Sequence, residues 1–103
     1  MATNGITKGR IEHELKLAPS RIEELDDLDD LWDQMPDWEQ ADWSLEWEQF
    51  LNILDHILDA AYRTNQMAPD QQVKYLEAIR QMKERMPIIE RLGLTKPKVS
   101  IKT

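Results

Sequence analysis

From Trp38 to Tyr62, apolar side chains return every three or four residues without a break. Trp43, Trp47, Phe50, Leu54, Ile57 and Ala61 form one line, and Leu51, Leu58 and Tyr62 widen it. About 25 residues at the α-helical rise make a rod roughly 40 Å long with one face that must be covered. A chain of 103 residues is large enough for one small domain, so the cover has to come from a few further helices. Two and a half heptads are too few for a coiled coil and suit a bundle.

The companions are marked by their punctuation. Pro19 and Ser20, with Glu23 three residues on, read as a capping box that opens a helix. Ile22, Leu25, Leu28, Leu31, Trp32 and Met35 then give its apolar side before Pro36 closes it. Asp37 and Gln40 repeat the capping arrangement at the start of the long helix. Pro69 suits the first position of a third helix, where its missing N–H costs nothing. Val73, Leu76, Ile79, Met82 and Met86 mark the expected buried face of that helix. Pro87 should kink it, and Gly93 can end it in the left-handed conformation. The expected fold is all-α: a small three-helix bundle over residues 20–35, 37–63 and 69–92, within a helical domain 20–93. An N-terminal arm (1–19) and a basic C-terminal tail (94–103) are expected to be flexible, and Val99 and Ile101 carry a weak strand-like alternation.

The charges are segregated. From Ile22 to Tyr62 there are fourteen Asp or Glu and no Lys or Arg; Met1 to Arg21 sums to +2 and Arg63 to Thr103 to +5, within a net charge of -7. Like charges three or four apart on a helix repel, and soluble helices ordinarily mix the signs. Two readings follow. The basic third helix and the arms neutralise the acidic pair, within the fold or across an oligomer; or part of the acidic surface stays free and steers a basic partner onto itself. All four tryptophans lie between residues 32 and 47. Trp43 and Trp47 belong to the core line. Trp38, in the first turn after Pro36, is the first candidate for an apolar contact anchor, and Trp32 the second. The candidate partner-binding residues are Asp26, Asp27, Asp29, Asp30, Asp33, Asp37 and Glu39 for the field, with Trp38 as anchor.

Catalytic and cofactor chemistry finds no constellation in the sequence. Cysteine is absent, which removes disulfides, thiolate ligands and a thiol nucleophile and fits a reducing compartment. Ser20, Ser44 and Ser100 sit in no nucleophile elbow, no glycine-rich phosphate loop occurs, and His13 and His56 form no ligand pair. The run from Asp26 to Asp30 lacks the glycine and distal glutamate of a calcium loop, and Asp55 and Asp59 share a helix face without a third ligand. No catalytic residue, metal or cofactor is expected. Net acidity opposes direct nucleic-acid binding, although Arg80, Lys83, Arg85 and Arg91, or Lys96, Lys98 and Lys102, could meet phosphate on their own. No segment has the length of a membrane span or the pattern of a signal peptide, so a cytoplasmic protein is expected.

The functional expectation is a small acidic, non-enzymatic binding module, an adaptor, inhibitor or accessory subunit, that engages a basic protein surface. A self-associating helical bundle is the alternative from another class. A nucleic-acid mimic or antitoxin, whose carboxylates stand in for phosphates, is a special case of the first.

Overall fold

The computed structural model describes residues 7–97, and every regular element among them is helical. Helix α1 (Lys8–Leu31) leads through a 3-10 turn (Trp32–Gln34) into α2 (Asp37–Ile53). A π-helical stretch (Leu54–Asp59) joins α2 directly to α3 (Ala60–Arg63), so these residues form one rod. Helices α4 (Pro69–Glu84) and α5 (Met86–Leu92) complete the chain. The all-α expectation holds, with four helical rods rather than three because the chain breaks at Arg85 before Pro87.

The first helix begins earlier than its punctuation suggests. Thr7 is its cap, the Oγ1 accepting the Arg10 N–H at 3.1 Å, and Pro19 lies inside the helix. Residues 8–19 are therefore not a loose arm. Ile11, Leu15 and Ala18 continue without a break into Ile22, Leu25 and Leu28, and all six are buried. The proline removes one backbone hydrogen bond; the unbroken apolar line holds the helix together across it.

Helix α1 lies at the centre. The short turn after Leu31 sends α2 back antiparallel to it, and Arg21 reaches Glu46 at 4.0 Å. Helix α4 runs parallel to α1, with Gln71 beside Glu12 at one end and Arg85 beside Asp26 at the other. Trp47, Phe50, Leu54, Leu58 and Ala61 are buried as the apolar line of the long rod requires, and Trp43 and Ile57 are half-buried.

Three local devices set the register. The cap expected from Asp37 does not form; Pro36 precedes the helix, and Gln40 instead sends its side-chain amide back to the Trp32 carbonyl at 2.6 Å. The π stretch fits an extra residue into its turn. Asp59 is seven residues beyond Asn52 and fourteen beyond Leu45, both exposed, yet Asp59 is turned inward to 9% exposure. At the far end, Gly93 takes φ 71 and the Leu94 N–H returns to the Ile89 carbonyl at 3.0 Å, a Schellman closure that buries Leu94. The chain is then pinned to α2, because the Trp47 indole N–H donates to the Thr95 carbonyl at 2.8 Å. The start of the basic tail is thus anchored; Lys98, Val99, Ile101 and Lys102 lie outside the described residues.

The expected face of α4 is corrected. Val73 and Leu76 are 68% and 48% exposed, and the buried positions are Gln71, Tyr75, Ala78 and Met82. Gln71 bridges two elements: its Oε1 accepts the Ala68 N–H at 2.9 Å and its Nε2 donates to Glu12 at 2.8 Å.

If residues 8–19 are core, Ile11→Ala and Leu15→Ala should each cost about 2 to 5 kcal/mol in denaturant unfolding, where a solvated arm would give almost nothing.

Candidate functional site

Helices α1 and α2 carry the acidic surface, and the packing of α1 divides it. One edge faces α4 and α5. There Arg85 makes a two-pronged bond to Asp26, Nε to Oδ1 at 3.1 Å and Nη2 to Oδ2 at 2.9 Å. Arg91 donates to Asp29 Oδ1 at 2.6 Å and to the Asp29 carbonyl at 2.5 Å, and its Nη1 stands 3.8 Å from Asp33. These carboxylates hold both guanidinium groups above their ordinary pKa, the hydrogen bonds to Asp26 and Asp29 being the largest cause in each case. Asp26 and Asp29 are therefore paired within the fold, and Asp33, largely exposed, stands at the edge of the Arg91 pair.

The other edge is left over. Asp27, Asp30, Asp37 and Glu39 have no cation within salt-bridge distance among the described residues. Between the end of α1 and the start of α2 lies a groove of about 280 Å³, lined by Glu24, Asp27, Leu28, Leu31, Met35, Glu39 and Trp43. Its floor is apolar and its polar residues are all acidic. Leu31 in its wall is exposed. Trp38 is outside this lining and 68% exposed, so it does not staple α2 to the preceding helix. Trp32 is half-buried.

The structure thus splits the sequence-derived set. Asp27 and Glu39 meet at the groove; Asp30, Asp37 and Trp38 stand free nearby along the chain; Asp26, Asp29 and Asp33 turn to the basic helices. Glu24, Leu31 and Met35 are groove residues that charge reasoning did not select. Leu31 and Met35 read as core, being members of the apolar line; Met35 is half-buried against the core, while Leu31 is left exposed.

The acid-rich segment of the long rod has a different use. Asp59 accepts the Tyr75 O–H at 2.7 Å and Arg63 Nε at 2.6 Å. This ties the π stretch to α4 and removes Asp59 from the face of Asp55. Asp55 stands 3.8 Å from His56. Among the described residues no three His, Cys, Asp or Glu side chains come together as metal ligands. Burial first, then the hydrogen bond to Asp59, pushes the Tyr75 phenol above the ordinary tyrosine range. A phenol held neutral and already donating to a carboxylate is a structural tie.

A wider depression of about 920 Å³ opens between α1 and α4, lined by Glu12, His13, Lys16, Pro19, Val73, Lys74 and Glu77 among others. Its rim mixes the signs. Lys74 pairs with Glu12 at 3.5 Å, and the hydrogen bond from Gln71, followed by the charge of Lys74, lowers the pKa of the Glu12 carboxyl.

Two outcomes are expected from this division. Asp26→Asn with Asp29→Asn should lower the midpoint of thermal unfolding, and less so at high salt, whereas Asp27→Asn with Asp30→Asn should leave it unchanged or slightly raised. In a Tyr62→Phe background, ultraviolet titration should show Tyr75 still protonated above pH 10. A phenol whose folded pKa is raised adds stability below the unfolded value near 10. That contribution is lost as pH rises toward the folded value, so the phenolate should appear together with unfolding.

Comparison with family models, with curated proteins and with solved structures finds no match to this chain.

Proposed function

We propose that the protein is a small acidic, non-enzymatic binding module, an adaptor, inhibitor or accessory subunit, that engages a basic protein surface through the free acidic edge of α1 and α2. The observation that carries this reading is the remainder of charge after internal pairing. Arg85 and Arg91 are spent on Asp26, Asp29 and Asp33, while Asp27, Asp30, Asp37 and Glu39 are left outside salt-bridge distance of any cation among the described residues, Asp27 and Glu39 of them lining an apolar groove. Such a field raises the rate of encounter with a cationic partner and repels anionic ones.

The same pairing weighs against the alternatives. Arg80 is held by Glu77 and Glu84, Arg85 by Asp26, and Arg91 by Asp29, so the basic helices have few free cations for phosphate or for the acidic edge of another copy. No helix among the described residues is long and apolar enough to cross a membrane. A cytoplasmic setting, suited to a chain without cysteine, belongs to the same proposal. A nucleic-acid-binding protein is one form the basic partner can take, with the carboxylates standing in for phosphates.

The test is capture of partners by the tagged chain from nuclease-treated lysate of its source cell. One stoichiometric basic protein should be retained at low salt and released at high salt. The variant Asp27→Asn, Asp30→Asn, Asp37→Asn, Glu39→Gln should keep its helicity and lose about 2 kcal/mol of affinity, roughly 30-fold, at about 0.5 kcal/mol per exposed pair. Recovery of the chain alone, or binding indifferent to both salt and the fourfold change, would overturn the proposal.

A further inference from the structure

The long rod is apolar on two sides. Its inner line packs on the core, with Trp47, Phe50, Leu51 and Leu54 buried. On the opposite side Trp38, Ala41 and Leu45 are all exposed, Leu45 at 56%. Spaced three and then four residues apart, they fall on one line along α2 about 10 Å long. The back of a helix in a small bundle is ordinarily polar, and this one carries a tryptophan and a leucine that the fold leaves more than half exposed.

We propose that this outward line of α2 seats an amphipathic helix of a partner protein, a helix with leucine-like residues on one face and lysine or arginine on both flanks. The proposal rests on the acidic-edge reading above and names the segment such a partner would present. Charge complementarity identifies the occupant. Asp37 and Asp42 lie near the line, as does Glu48, whose carboxylate accepts the Thr95 hydroxyl at 3.2 Å and has no cation within salt-bridge distance among the described residues, and no Lys or Arg occurs from Ile22 to Tyr62. Cations on the flanks of a docked helix meet carboxylates on both sides, and a guanidinium laid over the Trp38 ring gains a further cation-π contact. The shape of the line identifies the helix. A straight ridge of two turns fits the i, i+3, i+7 ridge of another helix, the mode by which amphipathic helices are read on apolar surfaces.

A second copy of the chain is a poor occupant. Pairing α2 with itself, in either direction, lays acidic flanks against acidic flanks, a like-charge arrangement that opposes association.

The probe is a labelled synthetic peptide of about 15 residues with leucine at i, i+3, i+7 and i+10 and lysine and alanine elsewhere, compared with a scrambled peptide of the same composition that has no apolar line. Binding to the full chain is read by anisotropy at low ionic strength, about 10 mM, where the Debye length is near 30 Å. The patterned peptide should bind at least tenfold more tightly than the scrambled one. Leu45→Asn and Trp38→Ala should each weaken it about tenfold with helicity unchanged. Equal binding of both peptides, or no binding of either, overturns the helix proposal and leaves the acidic-edge reading standing on its own partner test. Sensitivity to Leu45→Asn without sensitivity to Asp42→Asn with Glu48→Gln makes the line an apolar face that does not select cations, which overturns the lysine- or arginine-flanked partner while the acidic-edge reading keeps its own test. A concentration-dependent dimer abolished by Leu45→Asn makes the occupant a second copy and overturns the proposal.

Discussion

Everything in this fold leans on one apolar line along α1, the buried run of Ile11, Leu15, Ala18, Ile22, Leu25 and Leu28. That line has to pass Pro19, which in a helix interior costs about 3 kcal/mol relative to alanine. Five buried Leu or Ile side chains at about 1.5 to 3 kcal/mol each outweigh it several times over. The helix survives its proline because breaking there would uncover one half of the core. With α1 continuous, α4 can lie parallel along its length while α2 returns along another side, and the remaining geometry follows.

The parallel placement of α4 decides what becomes of the charge. It carries Arg85 to Asp26, and α5 then carries Arg91 to Asp29, so one edge of an acidic helix is neutralised by the chain that follows it. Arg91 also donates to the Asp29 backbone carbonyl, within the last turn of α1, where carbonyls lack helical partners. No basic residue of α1 itself occupies that last turn. Arg91 supplies from another helix the cation that a helix C-terminus ordinarily carries in its own sequence.

The long rod was legible because its apolar spacing mixes threes and fours, which keeps a line on one face. Pro69 and Gly93 were legible because each residue suits one backbone position. The other differences have specific causes. Pro19, Ser20 and Glu23 imitate a helix start, and the punctuation outweighed the spacing of Ile11, Leu15 and Ala18, which continued through it. On α4, Val73, Leu76, Ile79 and Met82 are separated by threes throughout, and such a series drifts around a 3.6-residue helix until its ends face opposite ways. Gln71, Tyr75, Ala78 and Met82, spaced four, three and four, hold one face; a glutamine and a tyrosine hid that face from a search for aliphatic residues. The inward turn of Asp59 depends on the π stretch, which leaves no mark in the apolar pattern. Charge segregation located the acidic helices, but only the packing shows which edge of them is neutralised.

The free carboxylates do not contribute equally to the surface field. Asp37 and Glu39 lie in the first turn of α2, where the positive end of the helix dipole offsets part of their charge and stabilises them. Asp27 and Asp30 lie near the end of α1, where the dipole is negative and adds to theirs. Of the two, Asp27 lines the groove, so the strongest attraction for a cation falls beside Leu28 and Leu31, at the α1 wall. The α2 wall is fixed at Gln40 through the Trp32 carbonyl and at Trp47 through the Thr95 carbonyl. On the proposed reading, a partner would be drawn by one helix and positioned by the other. Because that second helix is already formed and tethered at two points, docking on it would require little ordering of its backbone, which leaves more of the contact energy to appear as affinity.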